Sequence, residues 1–324
     1  MSATEPLLAI DISAGYPGKP AVLDGVRFSM QPGEILGLIG ESGSGKSTIA
    51  LAVLRLLELR GGQVRGSICF CGRELMSAGA RELRRVRGRE IAVVLQSPVA
   101  ALNPALRIET QLREAWRAHR GEPWRTGREH ARRLLIRMGL AGDERFLRRY
   151  PRQLSVGQAQ RVVIAMAVMH GPKLLIADEP TSALDPESAS EILDLFRGLN
   201  REFGTAILYI SHDLRSVDAL CHRVAILQHG RLREHAPGQP ASSSERRVPG
   251  DPRGPGGPPG SAPRITLDSR EREKYVALPR IACNLTLTSS FIRRIPILPI
   301  ISARTITGRK HEWKTCRPRT PSTG

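Results

Sequence analysis

The chain predicts an α/β fold: a mostly parallel core sheet, an N-terminal antiparallel β subdomain and a helical subdomain. An apolar strand-like run, residues 34–39, leads through Gly40-Glu41-Ser42-Gly43-Ser44-Gly45-Lys46-Ser47 into the helix-like residues 48–54. Three further apolar runs, at 91–95, 173–177 and 206–210, have the length and character of strands covered on both faces. A helical pattern from Pro186 to about Phe203 separates the last two, and strands alternating with helices around one glycine-rich loop imply parallel pairing.

The elements follow in order. Residues 7–28 alternate like strands, with a turn at Pro17-Gly18-Lys19-Pro20, and Gln31-Pro32-Gly33 is a second turn; together they read as a small antiparallel sheet. The helix after the loop is expected to run to about Leu59, where Arg60-Gly61-Gly62 breaks it, and residues 64–74 make another strand and turn. Residues 107–150 are polar, Arg-rich and helical by period, which places a helical subdomain at about 97–160. A second helix is expected to start near Gln158.

Length and charge narrow the class. A chain of 324 residues can bury one good core and a second small one. No run of about 20 apolar residues exists, and the first residues lack the basic-then-apolar order of a signal peptide, so a soluble cytosolic chain is expected. Five cysteines form neither a CxxC pair nor an even framework; Cys69 and Cys71 read as small half-buried strand residues. The net charge of +18 resembles a nucleic-acid footprint, yet residues 237–324 alone supply +10, from 16 Lys and Arg against 6 Asp and Glu. The arginines between 107 and 152 read mainly as a solvated helical face.

The chemistry begins at the loop. Glycines let successive backbone N–H groups turn inward around phosphates, the following helix adds its positive end, Lys46 reaches the terminal phosphate oxygens and Ser47 ligates Mg²⁺. Gly40, Ser42, Gly43, Ser44, Gly45 and Thr48 complete this nucleotide cradle. The run 174–177 ends in Asp178 and Glu179, at the strand end where such sheets present ligands. Asp178 suits Mg²⁺, and Glu179 suits polarisation of an attacking water. His212 ends the run 206–210, which favours a functional imidazole; the other seven histidines read as surface residues.

Over residues 5–235 the chain resembles the ATPase subunit of an ABC transporter. Leu154-Ser155-Val156-Gly157-Gln158 is similar to the signature loop, Gln96 to the Q-loop glutamine, Ser182-Ala183-Leu184-Asp185 to the D-loop, His212 to the switch histidine and Tyr16 to the ring stacked on adenine. The resemblance implies a P-loop NTPase of ABC type that binds ATP and Mg²⁺, with Gln96 contacting the Mg²⁺-water shell. It further implies a head-to-tail dimer with a second, identical or non-identical, ATPase subunit. Ser155, Gly157 and Gln158 would face the opposite subunit's γ-phosphate and Asp185 the same interface. Val156 stands where glycine is usual, and because a β-branched residue resists unusual backbone angles a slower signature site is expected.

Residues 96–104 (Gln96-Ser97-Pro98 to Asn103-Pro104), residues 164–167 and Ala177 resemble the ATPases of dipeptide, oligopeptide and nickel importers. That branch implies two transmembrane permease subunits, indirect service to an extracytoplasmic solute-binding protein, and a peripheral place on the cytoplasmic face of the inner membrane. No nucleic acid is expected; the alternative is a soluble ABC ATPase acting on nucleic acid or ribosomes. The resemblance stops near His235. Residues 236–324 form an atypical Pro/Gly-rich basic tail, holding 13 of the 24 prolines from 237 onward, and are expected to be disordered. The abrupt change in composition suggests an out-of-frame reading of the gene; a genuine basic linker is the alternative.

Overall fold

The computed structural model describes residues 5–235, so the expectations for 236–324 lie outside the described residues. Strands β1 (Leu8–Tyr16) and β2 (Lys19–Met30) form a hairpin, after which β3 (Ile35–Gly40) enters a second sheet and α1 (Lys46–Val53) follows it. The chain returns to the first sheet through β4 (Gln63–Phe70) and β5 (Arg73–Glu74), giving the antiparallel order β2-β1-β4-β5. Then α2 (Ala80–Val86) leads into β6 (Ile91–Val94). Five helices come next: α3 (Pro98–Ala101), α4 (Ile108–Arg117), α5 (Trp124–Arg137), α6 (Glu144–Leu147) and α7 (Val156–Val168). The chain closes the core with β7 (Leu174–Asp178), α8 (Pro186–Phe203), β8 (Ala206–Ile210), α9 (Leu214–Leu220), β9 (Arg223–Gln228) and β10 (Arg231–His235).

The second sheet has the order β10-β9-β3-β8-β7-β6 and is parallel except for its edge pair β9/β10. Period-2 alternation explains why its central strands are apolar throughout. Leu36 and Leu38 of β3, Leu174 and Ile176 of β7, and Leu208 and Ile210 of β8 enter a core shared with α1 and the antiparallel sheet. Their neighbours Ile35 and Ile39, Leu175 and Ala177, and Ile207 and Tyr209 enter the opposite core, shared with α4, α5, α7 and α8. Both faces of the sheet are covered, so a polar residue on any of these strands would be buried without a partner.

Two boundaries differ from the sequence reading. Helix α1 ends at Val53, not near Leu59: Arg55 takes φ 51°, and a short 3₁₀ turn covers Glu58–Arg60. Leu54, Leu56 and Leu57 are all buried, a spacing that a continued α-helix would split between two faces. The buried Arg87 guanidinium also donates to the Leu54 and Arg55 carbonyls at 2.7 and 2.6 Å, taking acceptors that a helix end leaves orphaned. Helix α7 starts at Val156, two residues before Gln158, because Ser155 and Gln158 form a reciprocal capping box.

Candidate active site

The parallel register lines up the strand ends. Leu38 pairs with Ile210, Ile210 with Asp178, and Val94 with Ala177, so the segments that follow β3, β8, β7 and β6 leave the sheet side by side. Those segments carry the phosphate loop, His212, Glu179 and Gln96 in that spatial order, along the carboxyl edge where open α/β sheets hold ligands.

The loop needs its glycines for two separate reasons. A Cβ at Gly40 would sit 2.4 Å from the Leu227 carbonyl oxygen and 2.8 Å from Ser44 Oγ. Gly45 takes φ 107°, and a Cβ there would lie 2.7 Å from Leu23 Cδ2. Gly43 is also left-handed, and the turn closes by a Ser44 N–H bond to the Glu41 carbonyl at 3.1 Å. Ser42 and Ser47 are exposed, whereas Lys46 and Thr48 are buried in the first turn of α1. Lys46 Nζ donates to the carbonyls of Gly40 and Glu41 at 2.8 and 3.0 Å. Burial pushes its pKa down, against the pull of Glu179, Asp178 and Glu41.

Asp178 faces this lysine from the end of β7. Burial raises its pKa, the Ser47 hydroxyl bond lowers it, Glu179 raises it and Lys46 lowers it. Its Oδ1 is buried without a hydrogen-bond partner, and so is Ser44 Oγ. The orphaned Asp178 oxygen, on a carboxylate bonded to the Ser47 hydroxyl, makes with that hydroxyl a hard-oxygen donor pair of the kind that Mg²⁺ takes when phosphates and water complete its shell. Among the described residues no cluster of three or more His, Cys, Asp and Glu forms a fuller metal cage.

Glu179 adopts φ 51°, a left-handed conformation costly for a non-glycine residue, and its N–H bonds the Ile210 carbonyl at 2.9 Å. That bend turns its side chain toward His212, whose Nδ1 meets Oε1 and Oε2 at 2.8 and 2.7 Å. The carboxylate is only 14% exposed and the imidazole 64%. The Glu179 bond raises the His212 pKa, with desolvation opposing it. The site therefore gathers an ammonium, two carboxylates and an imidazole beside a cradle of backbone N–H groups.

The remaining candidates are arranged differently. Gln96 is exposed just beyond β6, and Tyr16 is half-buried at the end of β1. Ser155 Oγ accepts from the Gln158 N–H at 3.1 Å, and Gln158 Oε1 from the Ser155 N–H at 3.2 Å. A Cβ on Gly157 would face the Ser188 side chain at 3.6 Å, and Asp185 caps α8 by accepting from the Ser188 N–H at 2.9 Å. The signature-like and D-loop-like residues thus share one neighbourhood, and among the described residues no hydrogen bond or ion pair joins them to Lys46 or Ser47. Val156 sits in the first turn of α7 without a positive φ, so the strain expected of a β-branched residue there is absent.

The sequence reading missed part of the polar interior. His119, His130 and His170 are half-buried, not surface residues: His130 and His170 lie 5.6 and 6.1 Å from the Trp116 ring, and His119 lies 5.0 Å from His170. His222 is exposed, as expected, and accepts the Ile35 N–H through Nδ1 at 3.1 Å. Trp116, in the last turn of α4, and His119, in the turn just after it, are three residues apart, a spacing visible in the sequence, but His170 joins them only through the fold.

Comparison with known proteins agrees with this geometry. The ABC transporter family matches residues 23–182. A putative peptide import ATP-binding protein of Brucella abortus is 42% identical over 215 residues, which are 66% of this chain and 65% of that protein. A probable peptide ABC transporter ATP-binding protein of Sinorhizobium fredii is 40% identical over 230 residues, 70% of this chain and 69% of that one. The chain thus spans about two thirds of the length of these relatives. The solved dimer of an ATP-binding cassette in a post-hydrolysis state, bound to ADP and phosphate, superposes with a TM-score of 0.61 at 28% identity, covering 71% of this chain and 98% of its own. On sequence and fold together, the chain belongs to the ABC transporter family, and the two relatives above are peptide import or peptide transporter ATP-binding proteins.

Proposed function

We propose that the protein is the ATP-hydrolysing subunit of an ABC importer, powering uptake of peptides or a related small solute, nickel among them, through partner membrane subunits. The observation that carries this reading is the row of Lys46, His212, Glu179 and Asp178 along adjacent strand ends beside the glycine loop.

In this reading the N–H groups from Gly43 to Thr48 and the start of α1 hold the α- and β-phosphates. Lys46 exchanges its loop carbonyls for β- and γ-phosphate oxygens. Ser47 and Asp178 hold Mg²⁺, with Gln96 on its water shell, and the ion supplies charge neutralisation at the phosphates. Glu179 accepts the proton of the water that attacks the γ-phosphate, giving ADP and inorganic phosphate. His212, fixed by Glu179, donates to the γ-phosphate, and Tyr16 stacks on adenine. Ser155, Gly157, Gln158 and Asp185 serve the ATP held by a second ATPase subunit in a head-to-tail dimer, a reading supported by their separation from the loop of their own chain. Two permease subunits, and through them an extracytoplasmic solute-binding protein, complete the assembly at the cytoplasmic face of the inner membrane. Nucleic acid plays no part.

The test is reconstitution of the full chain with the membrane pair, the second ATPase subunit and the solute-binding protein of a peptide importer. ATP hydrolysis stimulated by peptide-loaded binding protein supports the reading. Stimulation by nickel alone would move the solute, and no stimulation by any loaded binding protein would refute the importer role.

A further inference from the structure

The end of the core sheet away from the nucleotide site carries an open groove of about 820 Å³ with a strong positive excess. Its walls are α2, the loop into β6, β5 and the turn before β7. Arg81 and Arg85 stand one helical turn apart on α2, an arrangement in which like charges repel. Arg89 and Lys173 add two more exposed cations. Of the two carboxylates in the groove, Glu90 is taken by Arg73 at 2.5 Å, which leaves Glu82 against four cations. The side chains of Arg81, Arg85 and Arg89 make no ion pair or hydrogen bond among the described residues, whereas Arg128, Arg161 and Arg223 each find a carboxylate. The floor is the amino end of β6 and β7, where the Lys173 and Leu174 N–H groups bond the Glu90 carbonyl, so the groove lies a strand length, about 15 Å, from Asp178.

We infer that this groove docks an acidic peptide segment of a partner protein. The residual charge of about three matches a segment with three carboxylates, and planar guanidinium forks suit carboxylates held two-pronged. A nucleic-acid strand fits less well, because the groove sets two carboxylates beside the path of a phosphate backbone and its one ring, His170, is half-buried and already packed against Trp116. ATP turnover does not use these residues, so docking here adds an attachment point independent of the nucleotide cycle.

Zero-length carbodiimide coupling tests this on the full chain, because Lys173 is the one amine in the groove and Lys274, Lys310 and Lys314 report non-specific coupling in the basic tail. A short glutamate-rich peptide is coupled at moderate salt and the modified lysines are read by mass spectrometry. Preferential coupling at Lys173, lowered on the order of tenfold in the Arg81→Glu/Arg85→Glu variant but not in Arg113→Glu/Arg117→Glu, is the expected result. Both variants keep the melting temperature and basal ATPase rate of the parent. Coupling at Lys173 no greater than at the tail lysines, or equal loss in both variants, overturns the inference. Displacement of the peptide from Lys173 by a short RNA at lower concentration than by unlabelled peptide overturns it in favour of nucleic acid.

Discussion

Replacing Arg87 by methionine should weaken the fold by an amount the structure allows to be worked out. The guanidinium is 8% exposed and donates Nε–H to the Leu54 carbonyl at 2.7 Å and Nη2–H to the Arg55 carbonyl at 2.6 Å. Both acceptors lie just past α1, where no helical N–H reaches them. Methionine keeps most of the apolar contact and leaves two carbonyls unpaired, each costing about 1–3 kcal/mol, so a total of about 3 kcal/mol is expected after credit for the lost burial of a charge. For a folded region of this size that is a fall in melting temperature of roughly 6–12 °C. Thermal unfolding of the nucleotide-free protein by circular dichroism reads it, with Arg84→Met, an exposed arginine in α2 just before Arg87, as the control that should shift by about 2 °C or less. A fall for Arg87→Met no larger than for Arg84→Met would refute the view that this arginine closes the phosphate-loop helix.

Three further outcomes follow from the same geometry. Gly45→Ala should abolish measurable binding of a fluorescent ATP analogue, since φ 107° and the Leu23 contact at 2.7 Å leave no room for a Cβ; retained affinity would contradict the loop geometry. His170 is half-buried against Trp116, its pKa pushed down from 6.5 to about 4 mainly by desolvation, so the unfolded chain binds the extra proton first. Stability should be full above about pH 6.5 and fall by about 2 kcal/mol toward pH 4, and urea titrations of His170→Asn should show a flatter profile over that window. Val156→Gly should leave ATP turnover unchanged within about twofold, because Val156 already has a helical backbone; a several-fold gain would restore the idea of strain in the signature loop.

What the sequence disclosed depended on whether the determinant was local. The apolar run 206–210 became β8 and Pro186 to Phe203 became α8, because flanking punctuation and period sufficed: Pro186 follows the Asp185 cap, and Gly204 ends the helix in a left-handed conformation. The loop, Asp178-Glu179 and His212 were legible for the same reason, each lying at the end of a continuous apolar run. The end of α1 was not legible, because it is decided by Arg87, more than 30 residues away in the chain. The start of α7 was available in principle from Ser155-x-x-Gln158, but Val156 and Gly157 are weak helix formers and drew attention away from the cap. Strands β9 and β10 and the histidine cluster around Trp116 likewise depend on partners supplied by the sheet order and by the packing of α4 against the turn after α7.

The central claim is that Glu179, bent toward His212 at the end of β7, activates the water that cleaves ATP. Its most direct test is Mg²⁺-dependent ATP hydrolysis by the full chain and by Glu179→Gln, read beside the affinity of each for ATP. The account predicts hydrolysis lowered by about 10²–10⁴-fold with ATP affinity retained, because glutamine keeps the shape and loses the proton acceptor. Hydrolysis of the variant within a few-fold of an active parent would contradict it.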